Sequence, residues 1–317
     1  MDTSNLNTSY KILSIIVPCF NEEESVPLFY AETRKQEGFF RENGVELEFI
    51  FVDDGSRDKT VEVIKALRQN DERVHLISFS RNFGKEAAII AGFEKASGDL
   101  ITLMDADLQD PPALLPEMYK DIQNGYDIVA TRRVDRKGEP PIRSWFARRF
   151  YGLMRRISKT DIVDGARDFR MMTRKVVNAI LSMKECNRFS KGIFGWVGFN
   201  TKWLEYENIQ RAAGETKWSF WKLFLYSLEG IMAFSTAPLV LPLIFGMIFC
   251  VAAVVLLVLT IVWAVMDNPI FLLFLLLCVM AFIGGIILCC LGIVGMYFAK
   301  LYTEVKNRPK YLIKEEF

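Results

Sequence analysis

The segment DADLQDPP at 105–112 places two carboxylates, Asp105 and Asp107, on either side of one small residue, directly after the apolar run LITLM. If that run is a buried strand, both acids leave its end on the same side. Left uncompensated they would repel and be costly to desolvate. A hard divalent cation offsets that cost, and Mg²⁺ is usually held by one or two carboxylates together with phosphates. The pair therefore points to a site for a metal and a diphosphate, with Gln109 able to add a neutral oxygen. The plainer alternative is an Asp-rich turn entering a helix whose first turn holds Pro111 and Pro112. A second acidic pair, Asp53 and Asp54 in VDDGSRDKT (52–60), precedes a Gly turn and an Asp58 placed to cap a helix. Acids there can accept from the ribose or base of a nucleotide, although Asp-Gly-Ser is also sound turn chemistry by itself. Neither GxGxxG nor GxxxxGK[ST] occurs, so neither a dinucleotide fold nor a P-loop is supported. The single histidine, His75, lies in the strand-like RVHLISFS, where a structural role is expected rather than catalysis.

Chemistry of this kind needs elements that aim the acids at one another. Apolar runs at 11–20, 46–55, 74–80, 99–107 and 126–134 read as strands, and 22–43, 58–70, 84–97 and 111–124 read as helices between them. Alternation of this type implies a mostly parallel sheet with helices on both faces, and such sheets bind ligands beyond the carboxyl ends of their strands. Asn21 and Glu22, Asp53 and Asp54, and Asp105 and Asp107 all fall at those ends.

The 317 residues are 51% hydrophobic and 24% charged, which excludes disorder and fibrous repeats. The apolar excess is concentrated: from 230 to 299 the only charged residue is Asp267. Two membrane spans are expected there, about 237–266 and 270–299, joined by Asp267-Asn268-Pro269. Cations after the second span (Lys300, Lys306, Arg308, Lys310, Lys314) and none in the turn place both termini in the cytoplasm, with 300–317 as a cytoplasmic tail. The N-terminus has no signal-like pattern, and the cysteines have no paired spacing, so a cytoplasmic, reducing setting is expected for the soluble part. Residues 132–159 hold ten Arg or Lys against two acids, a local charge of +8. The segment 140–159 and the aromatic 218–233 suit helices lying in the headgroup layer of an anionic membrane; the alternative is a pair of core helices. Ala281 with Gly285 and Gly292 with Gly295 could pack helices or subunits, allowing a homo-oligomer. Nothing points to nucleic acid.

Taken together, IIVPCFNEEESV (15–26), VDDGSRDKT, SRNFGKEAAIIAGFEKASGD (80–99), DADLQDPP, Thr131-Arg132, GARDFRMMTRKVV (165–177) and RAAGETKW (211–218) resemble the inverting GT-A glycosyltransferases. Within that class the likeness is to polyprenyl-phosphate glycosyltransferases related to dolichol-phosphate mannose synthase and bactoprenol glucosyltransferase. The resemblance implies an α/β GT-A domain over 1–217 and makes Pro18, Asn21, Glu22, Asp53 and Lys85 part of a nucleotide pocket. It makes Asp105, Asp107 and Gln109 the site of Mg²⁺ or Mn²⁺. Arg132, Arg211 and Lys217 would neutralise phosphates of donor and acceptor, and Asp168 would lie on the acceptor side. The nearest approach to the Gln-x-x-Arg-Trp motif of processive synthases is Gln210-Arg211, so single-sugar transfer is implied.

The implied partners are a nucleotide-sugar donor and a polyprenyl phosphate acceptor. The two-span tail, GARDFR and GETKW look closer to bactoprenol glucosyltransferases, which favours UDP-glucose. GDP-mannose, UDP-galactose, a UDP-N-acetylhexosamine and a UDP-aminoarabinose derivative are the alternatives. A lipid phosphate is already anionic at pH 7 and attacks without losing a proton, which suits a chain poor in candidate bases. A non-catalytic, membrane-anchored binding or scaffold protein would have no need of Asp105, Asp107 and Gln109 together. A transporter would need a polar path that the two spans lack.

Overall fold

The computed structural model describes residues 11–133, 165–185, 188, 190–206, five positions between 244 and 255, and 269–317. Among the described residues eight strands form one sheet in the order β7-β5-β6-β4-β1-β2-β3-β8. Its central strands are β1 (Ile12–Cys19), β2 (Glu46–Asp53), β3 (Val74–Phe79) and β4 (Leu100–Leu103), all parallel. β5 (Ile128–Arg133) and β7 (Thr201–Tyr206) are parallel to each other, and β6 (Ala166–Thr173) runs antiparallel between β4 and β5. The mostly parallel expectation thus holds for the half that carries Asn21 and Glu22 and both acidic pairs.

Alternation along the strands builds two cores. Leu13, Ile15 and Val17 of β1 and Phe49 and Phe51 of β2 face α1 (Ser25–Arg34), α2 (Glu37–Glu42), α3 (Thr60–Asn70) and α5 (Leu115–Gln123). Ile16, Ile50 and Val52 face α4 (Lys85–Lys95), α6 (Arg174–Ser182) and α7 (Ser190–Trp196). Both faces being covered explains why β1 and β2 read as continuous apolar runs. Gly92 of α4 sits against β1 so closely that a Cβ would lie 2.3 Å from Ile16 Cγ2, so any larger residue would lift the helix off the sheet. The helix expected over 22–43 is two, α1 and α2, and the one expected from 111 begins as a short 3₁₀ turn at Pro112–Leu114 before α5.

Near the end of the chain a 38-residue helix, α8 (Pro269–Lys306), leads to β8 (Ile313–Glu316), which pairs antiparallel with β3. One helix among the described residues, Phe282–Lys306, is long and apolar enough to cross a membrane. The first expected span lies almost wholly outside the described residues, so the two-helix hairpin is left without support. The expected interfacial helices at 140–159 and 218–233 also lie outside them. Within the segment expected as a cytoplasmic tail, 300–317, the chain joins the sheet: Leu76 and Phe317 exchange backbone hydrogen bonds, and Tyr311 stacks on Phe79 at 4.8 Å.

Candidate active site

The loops beyond β1 and β2 are built as one unit. Asn21, at φ +54, donates its backbone N–H to Ser56 Oγ, while its side-chain oxygen accepts from the Arg57 N–H, both at 2.9 Å. The Glu22 N–H donates to Thr60 Oγ1, and the Lys59 N–H donates to Glu23. Asp58 accepts from the N–H and the hydroxyl of Thr60, the first residue of α3, but it stands one residue before the cap position, which Lys59 fills without a side-chain bond. Gly55, at φ +72, lies so near the next loop that a Cβ would meet the Arg81 carbonyl carbon at 2.5 Å; only glycine permits that approach.

Asp53 and Asp54 are both buried and both served by the protein's own donors. Asp53 accepts from the Ser78 hydroxyl at 2.8 Å and the Ser56 N–H at 3.0 Å. Asp54 accepts from the backbone N–H groups of Phe83 (2.6 Å) and Gly84 (2.9 Å). Burial pushes the Asp54 carboxyl above its ordinary range, and those N–H groups oppose the shift. Asp54 thereby fixes the loop that delivers Lys85, the first residue of α4.

Lys85 is the junction of the site. Its Nζ lies 2.6 Å from Asp105 Oδ1 and 2.6 Å from Asp168 Oδ2. Burial works against its charge, but the two carboxylates outweigh burial and hold the ammonium protonated well above the usual lysine range. Asp105 comes from the end of β4 and Asp168 from β6, so the antiparallel insertion of β6 is what brings the second acid opposite the first. Asp107 Oδ1 accepts from the Gln109 N–H at 3.1 Å. Between them Leu108 takes φ +57, a left-handed conformation uncommon for such a side chain and typical of binding turns. Pro18 lies at the end of β1, beside Cys19. Burial raises the Cys19 thiol pKa, and Glu22, Asp53, Asp105 and Asp58 add to the effect.

Other residues hold this arrangement in place without having stood out in the sequence. Asp110, the third acid of DADLQD, is fully buried and accepts from Tyr206 OH at 2.8 Å and Arg167 Nε at 3.3 Å. Burial raises its carboxyl and Arg167 opposes this; burial and Asp110 together push Tyr206 up to about 12. Arg170 lies over the Phe194 ring at 3.6 Å and donates to the carbonyls of Arg167 and Asp168, bracing β6 where it presents Asp168. Burial pulls Arg170 down to about 10. Asp110 lies within DADLQDPP and Arg167 and Arg170 within GARDFRMMTRKVV, but their pairing with one another and with Tyr206 joins segments distant in sequence.

Arg132, at the end of β5, pairs with Glu205 rather than with the acids around Lys85. Arg211 and Lys217 lie outside the described residues. His75 sits near the start of β3, 3.7 Å from Glu48, with burial lowering its pKa, far from the strand ends where the acids gather.

A mostly parallel sheet with an Asp-x-Asp turn at its strand ends is the architecture of GT-A glycosyltransferases, and residues 14–181 match the model of the family described as glycosyl transferase family 2. The chain belongs to that family and is a glycosyltransferase. It is 42% identical over 306 residues to CsbB of Bacillus subtilis (strain 168), covering 96% of this chain and 92% of that one. It is 41% identical over 307 residues to the prophage bactoprenol glucosyl transferase homolog of Escherichia coli (strain K12), covering 95% and 98%. The bactoprenol glucosyl transferase of Shigella phage SfII is 41% identical over 308 residues, covering 96% and 97%.

Proposed function

We propose that the protein moves a single glucose from UDP-glucose to undecaprenyl (polyprenyl) phosphate at the cytoplasmic leaflet, inverting the anomeric carbon. The product would be a lipid-phosphate-linked sugar for cell-envelope glycan modification. The observation that carries the reading is the Lys85 ammonium held between Asp105 and Asp168 at the strand ends. Support for the acceptor and the sugar comes from relatives named bactoprenol glucosyl transferase that match nearly end to end.

In the reaction an oxygen of the lipid phosphate forms a bond to the anomeric carbon as the bond to the UDP oxygen breaks. UDP leaves with that electron pair, and no proton has to move. The residues present suit Mg²⁺ or Mn²⁺. Asp105, Asp107 and Gln109 offer hard oxygen donors within one turn, and donor phosphates would complete the shell. Such an ion, when bound, neutralises charge on the departing diphosphate. Lys85 adds a fixed positive charge from α4. Asp53 and Asp54, with Pro18, Asn21 and Glu22, shape the nucleotide end, and Arg132, Arg211 and Lys217 meet the phosphates. Asp168 holds Lys85 on the acceptor side.

The direct test incubates membranes containing the protein with a panel of radiolabelled nucleotide sugars and undecaprenyl phosphate. Label from UDP-glucose alone should enter the organic phase; label entering only from another donor overturns the sugar assignment, and none from any donor overturns the activity.

A further inference from the structure

The tail returns to the catalytic end of the sheet. β8 starts opposite Phe79, the last residue of β3, and Ser80 donates its N–H to Leu312. The cytoplasmic end of α8 therefore stands beside the 81–84 loop and the first turn of α4. Between them lies a cleft of about 450 Å³ whose charged lining is Arg81, Arg188, Lys306, Arg308, Lys310 and Glu86. Five cations face one acid. The acid is already engaged from behind, since Glu86 accepts from the Ser190 N–H at 3.0 Å and from its hydroxyl. Arg188 spends two nitrogens on the carbonyls of Met183 and Ile180, while its Nε is buried without a partner. Arg81 is stiffened by stacking on Phe83, with Cζ 4.1 Å from the ring centre. On the same stripe of α8 as Thr303 and Lys306, further along the helix, Leu288 (71%) and Met296 (43%) are exposed.

Cations at the foot of an exposed apolar rod match an amphiphile whose phosphate sits in the cleft and whose chains run along the helix. We propose that this cleft is a binding site for the phosphodiester headgroup of an anionic bilayer phospholipid, separate from the site of transfer. The inference rests on reading α8 as the membrane segment. A bound headgroup joins two parts of the molecule: Arg81 belongs to the loop that Asp54 anchors ahead of Lys85, and Lys306, Arg308 and Lys310 belong to the end of α8. The lipid thus fixes the height and tilt of the catalytic loops over the leaflet.

The test uses the full chain, purified in neutral detergent and presented with equal amounts of phosphatidylglycerol and phosphatidylcholine, with retained lipid counted by native mass spectrometry. The wild type should retain phosphatidylglycerol preferentially, and K306Q/R308Q should reduce that preference by about tenfold, since each cation near anionic lipid contributes to the attraction. R81Q, on a separate element, should reduce it in the same direction, and K120Q/K175Q, elsewhere on the surface, should not. Unchanged preference in both cleft variants overturns the proposal. So does one-for-one displacement of phosphatidylglycerol by polyprenyl phosphate, which would give the cleft to the acceptor. The adduct count needs no turnover, so a failed glucose assay leaves it intact. Absence of the protein from the membrane fraction would refute the α8 reading itself.

Discussion

Two acidic pairs stand at strand ends on either side of β1, and the protein treats them differently. After β2, Asp53 and Asp54 are buried and bonded to a serine hydroxyl and three backbone N–H groups. After β4, Asp105 meets a cationic side chain from another element and Asp107 crowns a turn containing a left-handed leucine. Acids saturated by neutral, short-range donors act as architecture, because their partners are present before any ligand arrives. Acids matched by a partly exposed lysine face a charge that a ligand can compete for or replace. In this molecule the first pair sets where the second can work.

The sharpest break in that comparison is Asp107→Asn. Transfer should fall at least about a hundredfold, as should transfer by the wild type in EDTA, because an ion stabilising a leaving diphosphate supplies several kcal/mol. The melting temperature should hardly move. Radiolabel transfer and a thermal melt on the same preparation decide it; substantial residual activity would remove Asp107 from the metal site.

Asp54→Ala should show the opposite signature. Two buried backbone N–H groups lose their acceptor, a change costing about 2–4 kcal/mol, and the melt should drop by roughly 5–10 °C. A variant that melts like the wild type would mean the 82–84 loop is held by something else.

A smaller effect is expected from replacing Arg148, Arg149, Arg155 and Arg156 together by Gln. If the basic segment docks on anionic lipid, the apparent KM for polyprenyl phosphate in liposomes should rise several-fold, with little change in that for the nucleotide sugar. Arg132→Gln should instead lower kcat, since a contact to reacting phosphates acts in the transition state. Loss of kcat with an unchanged lipid KM in the quadruple variant would place the segment in the catalytic machinery.

The smallest effect concerns pH. Asp71 accepts from Arg73 at 2.8 and 2.9 Å and from Tyr30 OH at 2.7 Å. Arg73 chiefly, with burial opposing, holds the Asp71 carboxyl well below the ordinary carboxylate range. The folded pKa lies under the unfolded one, so the stabilisation is complete above about pH 4 and fades as pH falls further. The pair is partly exposed, and Asp71→Asn should cost on the order of 1 kcal/mol at pH 7. The variant should also lose stability less steeply on acidification. Urea melts at pH 7 and pH 3 measure both; parallel curves for the two proteins would discount the pair.

β1 to β5 and the helices between them were legible because each is a local apolar run with its own turn chemistry. β6 was not, because Arg167, Asp168 and Arg170 interrupt its apolar pattern and their partners, Asp110, Lys85 and the Phe194 ring, come from distant segments. β8, Ile-Lys-Glu-Glu, carries almost no strand signal; Lys65 and Lys95 on the helices pair with Glu315 and Glu316 and secure it at the edge. The acids at 53–54 and 105–107 were visible as chemistry, yet which pair was scaffold depended on Ser78, Phe83 and Gly84, partners that spacing alone does not reveal.

The pairing of β8 with β3 also bears on the order of synthesis. β3 emerges from the ribosome early, but the strand that covers its open edge follows α8, so the edge stays bare while that long apolar helix is being made. An uncovered strand edge is a template for unwanted pairing between chains. A pause in synthesis across α8 should therefore lead to intermolecular β-association of this protein.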